Sequence, residues 1–355
     1  MKSSYPNILI LGVQVPFTKG GAEMLIEGLY REMSARGFGV DVVSLPFSAL
    51  PKTEIIRHIA MWRALELKAF TGRNVDLVVA TKFPSYCVQH PAKAAWLIHQ
   101  HRQVYELYGS RFGDFDTGPA DESLRQMIMQ ADRKALAECR RIYTISGNVS
   151  ARLKRYLALD SEVLMPPLPL GDNYYNAEPG QYILSVGRLC SIKRVDLIIK
   201  ALPLIHECLK LKIAGGADEP AIEQYLKSEI DKHHLWHRVE FLGRVSDADL
   251  LQLYAHAFAV YYAPFDEDYG FVTLEALASG RPVITALDSG TVLEFITDEL
   301  NGLVVEPNEQ AIAGAINRLV DDEELYGRLR QNCSSAVQGS AWARIIDELA
   351  ACIRF

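Results

Sequence analysis

The chain has 355 residues, 49% hydrophobic and 23% charged, with a formal net charge of −7. That length favours two domains, each able to bury its own core, and the composition is that of a soluble globular protein. No apolar run reaches the ~18 residues of a membrane span, no signal peptide precedes the first turn, and six scattered cysteines without a C-x-x-C pair argue for a reducing cytoplasm and against zinc or a disulfide framework.

NILIL (7–11) reads as the first strand, followed by the loop GVQVPFTKGGAE. A helix over about 22–36 places Leu25, Leu29 and Met33 on one face, with Gly37 as its stop. VDVVSL (40–45), DLVVAT (76–81), AAWLIH (94–99) and RIYTIS (141–146) have the Val and Ile content of buried parallel strands. Helices with capping candidates, such as SGNVSARLKRYL, fall between several of them. MPPLPLGDNYYNAEPG (165–180) is a linker by its proline, glycine and asparagine content.

The rhythm then restarts with QYILSVG (181–187) and a helix, RVDLIIKALPLI, despite its interior proline. LKLKIAGG, RVEFLG, FAVYYA, RPVITA and GLVVE alternate with helical segments to about residue 320. SAWARIIDELAACI (340–353) is an amphipathic helix that either caps the second domain or crosses back to the first. The expected architecture is two doubly wound, Rossmann-like α/β domains, 1–168 and 169–339, facing across a cleft, with the helix at about 340–355 open to packing on either. Residues 1–170 hold 21 Lys and Arg against 16 Asp and Glu, net +5, and residues 171–355 hold 16 against 28, net −12. This uneven sharing suggests domains with different partners, or simply two differently solvated surfaces.

Three strand-to-helix loops are candidates for holding a diphosphate. Gly20 and Gly21 allow close approach of backbone to an anion at a helix start, although glycine there also serves merely to turn. In VGRLCSIKRVD (186–196), Arg188 and Lys193 supply two flexible cations to one loop, with Arg194 facing outward from the next helix. FDEDYGFVTLEALASGRPVI (265–284) offers the first-turn amides of Gly270, Phe271 and Val272, and Glu275 among apolar neighbours. Asp266, Glu267 and Asp268 are either ligand acceptors or a capping cluster favoured by the helix dipole.

Together these loops resemble the GT-B glycosyltransferases, and particularly the retaining glycosyltransferase family 4. The motifs are KGGAE, GRLCSIK and the E-x7-E run EDYGFVTLEALASGRPVI, in order, together with FLGRVSDADLLQLYA and SGNVSARL. The resemblance implies a nucleotide-diphosphate sugar donor, a UDP- or GDP-sugar first, bound mainly by the second domain. It implies Arg188 and Lys193 on the diphosphate, Glu275 on the ribose hydroxyls and Glu267 on the hydroxyls of the transferred sugar. Gly20 and Gly21 would close over the phosphate or acceptor, and Gly243 to Val245 would bracket the base. A histidine after a first-domain strand belongs near the sugar, and WLIHQHR offers His99, preferred by position, or His101. DSGTVLE departs from the family's G-G-x-x-E by placing Ser289 at the first glycine, with Glu294 in register.

Asp266 to Asp268 contain D-x-D, but Arg188 and Lys193 stand where a metal would neutralise the diphosphate, so no metal and no other cofactor is expected. A paired-carboxylate glycosidase would have no use for a diphosphate cradle. A nucleotide-sugar epimerase of the same fold, or a non-catalytic nucleotide-sugar-binding partner, remains the alternative to a transferase. The acceptor expected is a glycan, glycolipid or lipid-linked saccharide in cell-surface polysaccharide synthesis, with no nucleic acid involved. Residues 51–74 interleave Lys52, Arg57, Arg63, Lys68 and Arg73 with Trp62 and Phe70. Such a surface suits peripheral attachment of a cytoplasmic protein to an anionic inner membrane face, or it is an ordinary packed helix.

Overall fold

A computed structural model describes residues 6–16, 20–333 and 341–354 of the chain. Lys19 of the KGGAE run and Ser340, the expected start of the last helix, lie outside the described residues. The chain divides into two compact units, the first of residues 1–169 with 340–355 and the second of residues 170–339.

The first unit opens with β1 (Asn7–Gln14), α1 (Gly21–Ala35), β2 (Gly39–Pro46) and α2 (Glu54–Ala64). A short hairpin of β3 (Ala69–Phe70) and β4 (Arg73–Asn74) precedes β5 (Leu77–Lys82) and β6 (Lys93–His99). α3 (Pro119–Ala137), β7 (Arg141–Thr144), α4 (Gly147–Leu157) and β8 (Glu162–Val163) follow. The sheet order is β2-β1-β5-β6-β7-β8, with every pairing parallel. Helices cover such a sheet on both faces, so β5 is buried throughout, and Leu77–Ala80 within it read as a continuous apolar run rather than an alternation.

The second unit contains β9 (Tyr182–Val186), α5 (Val195–Ala201), β10 (Lys210–Ala214), α6 (Pro220–Lys232), β11 (Val239–Gly243) and α7 (Asp247–Ala255). β12 (Ala259–Tyr261), α8 (Phe271–Ala278), β13 (Val283–Ala286), α9 (Val292–Phe295), β14 (Gly302–Val305), α10 (Glu309–Asp321) and α11 (Glu323–Cys333) complete it. Its strands run β11-β10-β9-β12-β13-β14, again all parallel. In a doubly wound sheet the crevice lies at the carboxyl ends of the strands where winding reverses. Here that is β1 beside β5 in the first unit and β9 beside β12 in the second.

α12 (Trp342–Ala351) belongs to the first unit and buries Ile345, Ile346 and Leu349. Arg140 Nη1 donates to Cys352 O at 2.7 Å and Tyr143 Oη donates to Glu348 Oε2 at 3.0 Å. Two local expectations are corrected. The helix after β9 stops at Ala201 and tightens into a 3-10 turn over Leu202–Leu204, because Pro203 cannot supply the next amide. Within 51–74 only Glu54–Ala64 is helical, and Trp62 is a core residue at 1% exposure.

Asp132 on α3 is fully buried and accepts a 2.6 Å hydrogen bond from Tyr105 Oη. Burial pushes its carboxyl up to about 7, against the opposing effect of that hydrogen bond. The folded protein therefore holds this proton more tightly than the unfolded chain. The associated stability is complete below about 4 and is lost as pH rises through about 7. Urea titrations between pH 5 and 8 should find the wild type losing stability relative to Asp132→Asn as pH rises. A constant difference would contradict the assignment.

Candidate active site

The loops leaving β9 and β12 flank the crevice of the second sheet and are laced together at several points. Phe265 N–H donates to Ile192 O at 2.9 Å. Arg194 Nε and Nη2 donate to Ala263 O and Pro264 O at 2.7 and 2.8 Å. The same guanidinium forks onto both oxygens of Asp288 at 2.9 and 2.6 Å, the bidentate geometry arginine favours. Arg194 thus does not face outward: it is 2% exposed, because its left-handed backbone (φ 52°) turns the side chain under the acidic loop.

Above that knot, Lys193 Nζ donates to Glu267 Oε2 at 2.6 Å and to Tyr262 Oη at 2.8 Å. Both ionised side chains are largely withdrawn from solvent, at 17% and 14% exposure. Burial alone would lower the lysine pKa, but Glu267 and the Tyr262 oxygen outweigh it and the pKa is raised, so the ammonium stays charged. Arg188 lies at the open side, its Nη1 donating to Asp218 Oδ2 at 2.7 Å. That pair is accessible, at 49% and 32% exposure, and an ion pair of this kind contributes little and exchanges readily for another anion.

Glu267 is also fixed through its backbone. Its N–H donates to Ser289 O at 3.2 Å and its carbonyl accepts from Thr291 N–H at 3.0 Å, a single parallel bridge to the loop after β13. Ser289, which replaces the expected glycine, is buried and caps Ala286 N–H with its hydroxyl at 3.2 Å. Gly270 then starts α8 with φ +78°, and a Cβ there would lie 3.1 Å from the Tyr262 ring and 3.3 Å from Glu267 Cγ. Glycine satisfies both demands, which lets Phe271 and Val272 occupy the first turn close over the acid.

Glu275, on the second turn of α8, is 7% exposed and accepts from Tyr254 Oη at 2.7 Å and Tyr174 Oη at 3.1 Å. Burial raises its pKa, and the two phenol hydrogen bonds offset part of that rise. Gly243 ends β11 with its carbonyl accepting from Gly215 N–H at 2.7 Å, and Val245 lies just before Ser246, the cap of α7.

The crevice of the first sheet carries its own acid and base. Gly20 caps α1, and its N–H is already taken by Glu23 Oε2 at 2.9 Å, leaving Gly21 at the first helical position. Lys82, at the end of β5, donates to Glu23 Oε1 at 2.6 Å. His99 ends β6, partly exposed, with Nδ1 at 2.8 Å from Gln100 O. His101 is different: it is packed among Phe47, Phe83 and Phe115, and burial with the nearby His99 lowers it to about 4. It is a neutral core group.

Sequence reasoning did not find Tyr262, Asp218, Asp288, Lys82, Tyr174 or Tyr254, since each acts by a long-range contact with no local spacing signal, and it missed Glu23 although its place three residues after Gly20 is a capping spacing. Among the described residues no group of three or more His, Cys, Asp or Glu is placed to hold a metal ion.

Residues 174–335 match the family model for glycosyl transferases group 1. An uncharacterized glycosyltransferase of Methanocaldococcus jannaschii is 38% identical over 170 residues, 47% of this chain and 43% of that relative, so this match spans less than half of either protein. D-inositol 3-phosphate glycosyltransferase of Corynebacterium glutamicum is 24% identical over 97% of this chain and 90% of its own length. The crystal structure of Anabaena HepE in complex with UDP and glucose superposes with a TM-score of 0.71 at 18% identity, covering 98% of this chain and 99% of that one. The chain has the GT-B fold, and its residues 174–335 are similar to the glycosyl transferases of group 1.

Proposed function

We propose that the protein moves a glycosyl group from a nucleotide-diphosphate sugar, a UDP- or GDP-sugar, to a hydroxyl acceptor, with retention of anomeric configuration, as a family 4 enzyme without a metal cofactor. The observation that carries this reading is the Lys193–Glu267 pair at the crevice of the second sheet, with Arg188 in the same loop. The leaving group is a nucleoside diphosphate, so fixed positive charge beside its oxygens lowers the barrier to its departure. Lys193 and Arg188 supply that charge, and the first-turn amides of α8 add donors. Glu267, already aimed at the lysine, accepts from hydroxyls of the transferred sugar, and Glu275 accepts from the ribose. Gly243 and Val245 offer backbone groups to the base. In the first unit, His99 and the α1 start at Gly20 and Gly21 serve the sugar and acceptor.

Relatives support the donor class: the HepE structure contains UDP and glucose, and the corynebacterial relative is a D-inositol 3-phosphate glycosyltransferase. The proposed acceptor is a glycan, glycolipid or lipid-linked saccharide in cell-surface polysaccharide synthesis. Exposed Leu50, Met61 and Phe70 beside Lys68 and Arg73 favour peripheral contact with an anionic membrane from the cytoplasmic side. Trp62 takes no part in such contact, being in the core. Absence of salt-sensitive co-flotation with anionic vesicles would remove the membrane contact.

A thermal-shift screen with UDP-, GDP-, ADP- and TDP-sugars should single out one base. Arg188→Ala should abolish that shift. Glu267→Ala should keep it, since Lys193 is then released to the diphosphate, while kcat falls by about 10²-fold. Full activity in both variants would refute the site. Arg194→Ala serves as the contrasting case, costing about 1–3 kcal/mol of stability in urea by stranding the Ala263 and Pro264 carbonyls, while Asp288, 38% exposed, turns to water.

With donor and acceptor in hand, NMR of the first-formed product should find the donor's anomeric configuration, and EDTA should leave the rate unchanged. Inversion, or loss of activity restored by a divalent ion, would overturn those two parts of the reading.

A further inference from the structure

We propose that Tyr174 and Tyr254 aim the Glu275 carboxylate and so set how strongly the protein prefers ribose over 2′-deoxyribose in its nucleotide; the proposal rests on Glu275 being the ribose acceptor. Glu275 is a buried carboxylate, and among the described residues no cation lies within ion-pair distance of it. Its charge is held by two phenol hydroxyls, one on each oxygen: Tyr254 on Oε2 and Tyr174 on Oε1. A carboxylate has about four acceptor positions, so two are left for a pair of neutral hydroxyls. A vicinal diol matches that demand, whereas a second anion beside an uncompensated buried charge does not.

The two phenols are held by one strap. After Tyr174 the chain runs along the end of α7, where Ala177 N–H donates to Ala255 O at 3.3 Å and Gly180 N–H to His256 O at 2.8 Å. Arg281, fully buried, donates to Asn176 Oδ1 at 2.8 Å and to the carbonyls of Ala177 and Ala255. Tyr254 immediately precedes Ala255, so the same guanidinium fixes the backbone beside both tyrosines. Their rings meet edge to face, 6.4 Å apart at 69°. Tyr254 is fully buried and Tyr174 is 9% exposed, so neither hydroxyl is freely replaced by water. Each is a positioning residue: its hydroxyl acts on the ligand only through the direction and hydrogen-bond capacity of the glutamate.

The test uses the full chain and the nucleoside diphosphate, UDP, GDP or ADP, that binds best, against its 2′-deoxy form, with Kd values from calorimetry. Tyr254→Phe and Tyr174→Phe keep the ring and remove only the hydroxyl. The wild type should favour the ribonucleotide, and Tyr254→Phe should lower that preference by about tenfold, with Tyr174→Phe lowering it less. Binding of the 2′-deoxy form should change little in either. Equal loss for both nucleotides, or an unchanged preference in both variants while Glu275→Gln loses it, would overturn the role of the tyrosines and leave the ribose reading standing. A wild type without preference, or Glu275→Gln with the wild-type preference, would overturn the ribose reading and this proposal with it. Should Tyr254→Phe not fold, Tyr174→Phe alone decides.

Discussion

The second unit is organised around pairing one ammonium with one carboxylate, both largely withdrawn from solvent. Taking either ion out of solvent costs several kcal/mol, and the attraction between them compensates only when geometry is good and further hydrogen bonds complete it. Lys193 and Glu267 meet at 2.6 Å, with Tyr262 completing the lysine and a bridge to the loop after β13 fixing the acid. Arg194 holds both loops from beneath, and its own charge is matched by Asp288. The result is a preorganised polar cluster at the carboxyl ends of β9 and β12, where fixed charges act without reorganising.

The first unit repeats the arrangement with the roles exchanged. There the carboxylate, Glu23, lies in the first turn of the helix and the ammonium, Lys82, ends the neighbouring strand. Burial works against ionisation of Glu23, yet the Lys82 contact and the Gly20 amide bring its pKa below the usual value. An acid at a helix start is favoured by the aligned peptide dipoles as well. Both sheets thus place an ion pair where winding reverses, the position at which loops, strand ends and helix starts converge.

The long motif run from Glu267 to Ile284 divides into residues that face the crevice and residues that hold the fold. Gly270 belongs to the first set, since it brings the helix start onto the acid. Gly280 and Arg281 belong to the second. Gly280 has φ +66°, and a Cβ there would lie 2.7 Å from Asn176 Nδ2, so its bareness admits the strap that Arg281 then binds. A signature read as one functional stretch is therefore half architecture.

Strand and helix order, the division into two doubly wound units and the loops holding Arg188, Lys193, Glu267 and Glu275 were legible in the sequence. They depend on local properties: apolar runs, glycine at turns and the alternation of periods along the chain. What the chain could not disclose was how these groups pair. Arg194 looks like one more helix cation until the turn at φ 52° carries it under Pro264, and Trp62 looks like a surface aromatic until α2 docks. His99 and His101 are two residues apart, yet three phenylalanines enclose only the second. Tyr174 and Tyr254 reach Glu275 across 101 and 21 residues of chain. Local composition determines which elements form, whereas burial, charge pairing and the identity of each donor and acceptor follow from distances that exist only once the sheets are assembled.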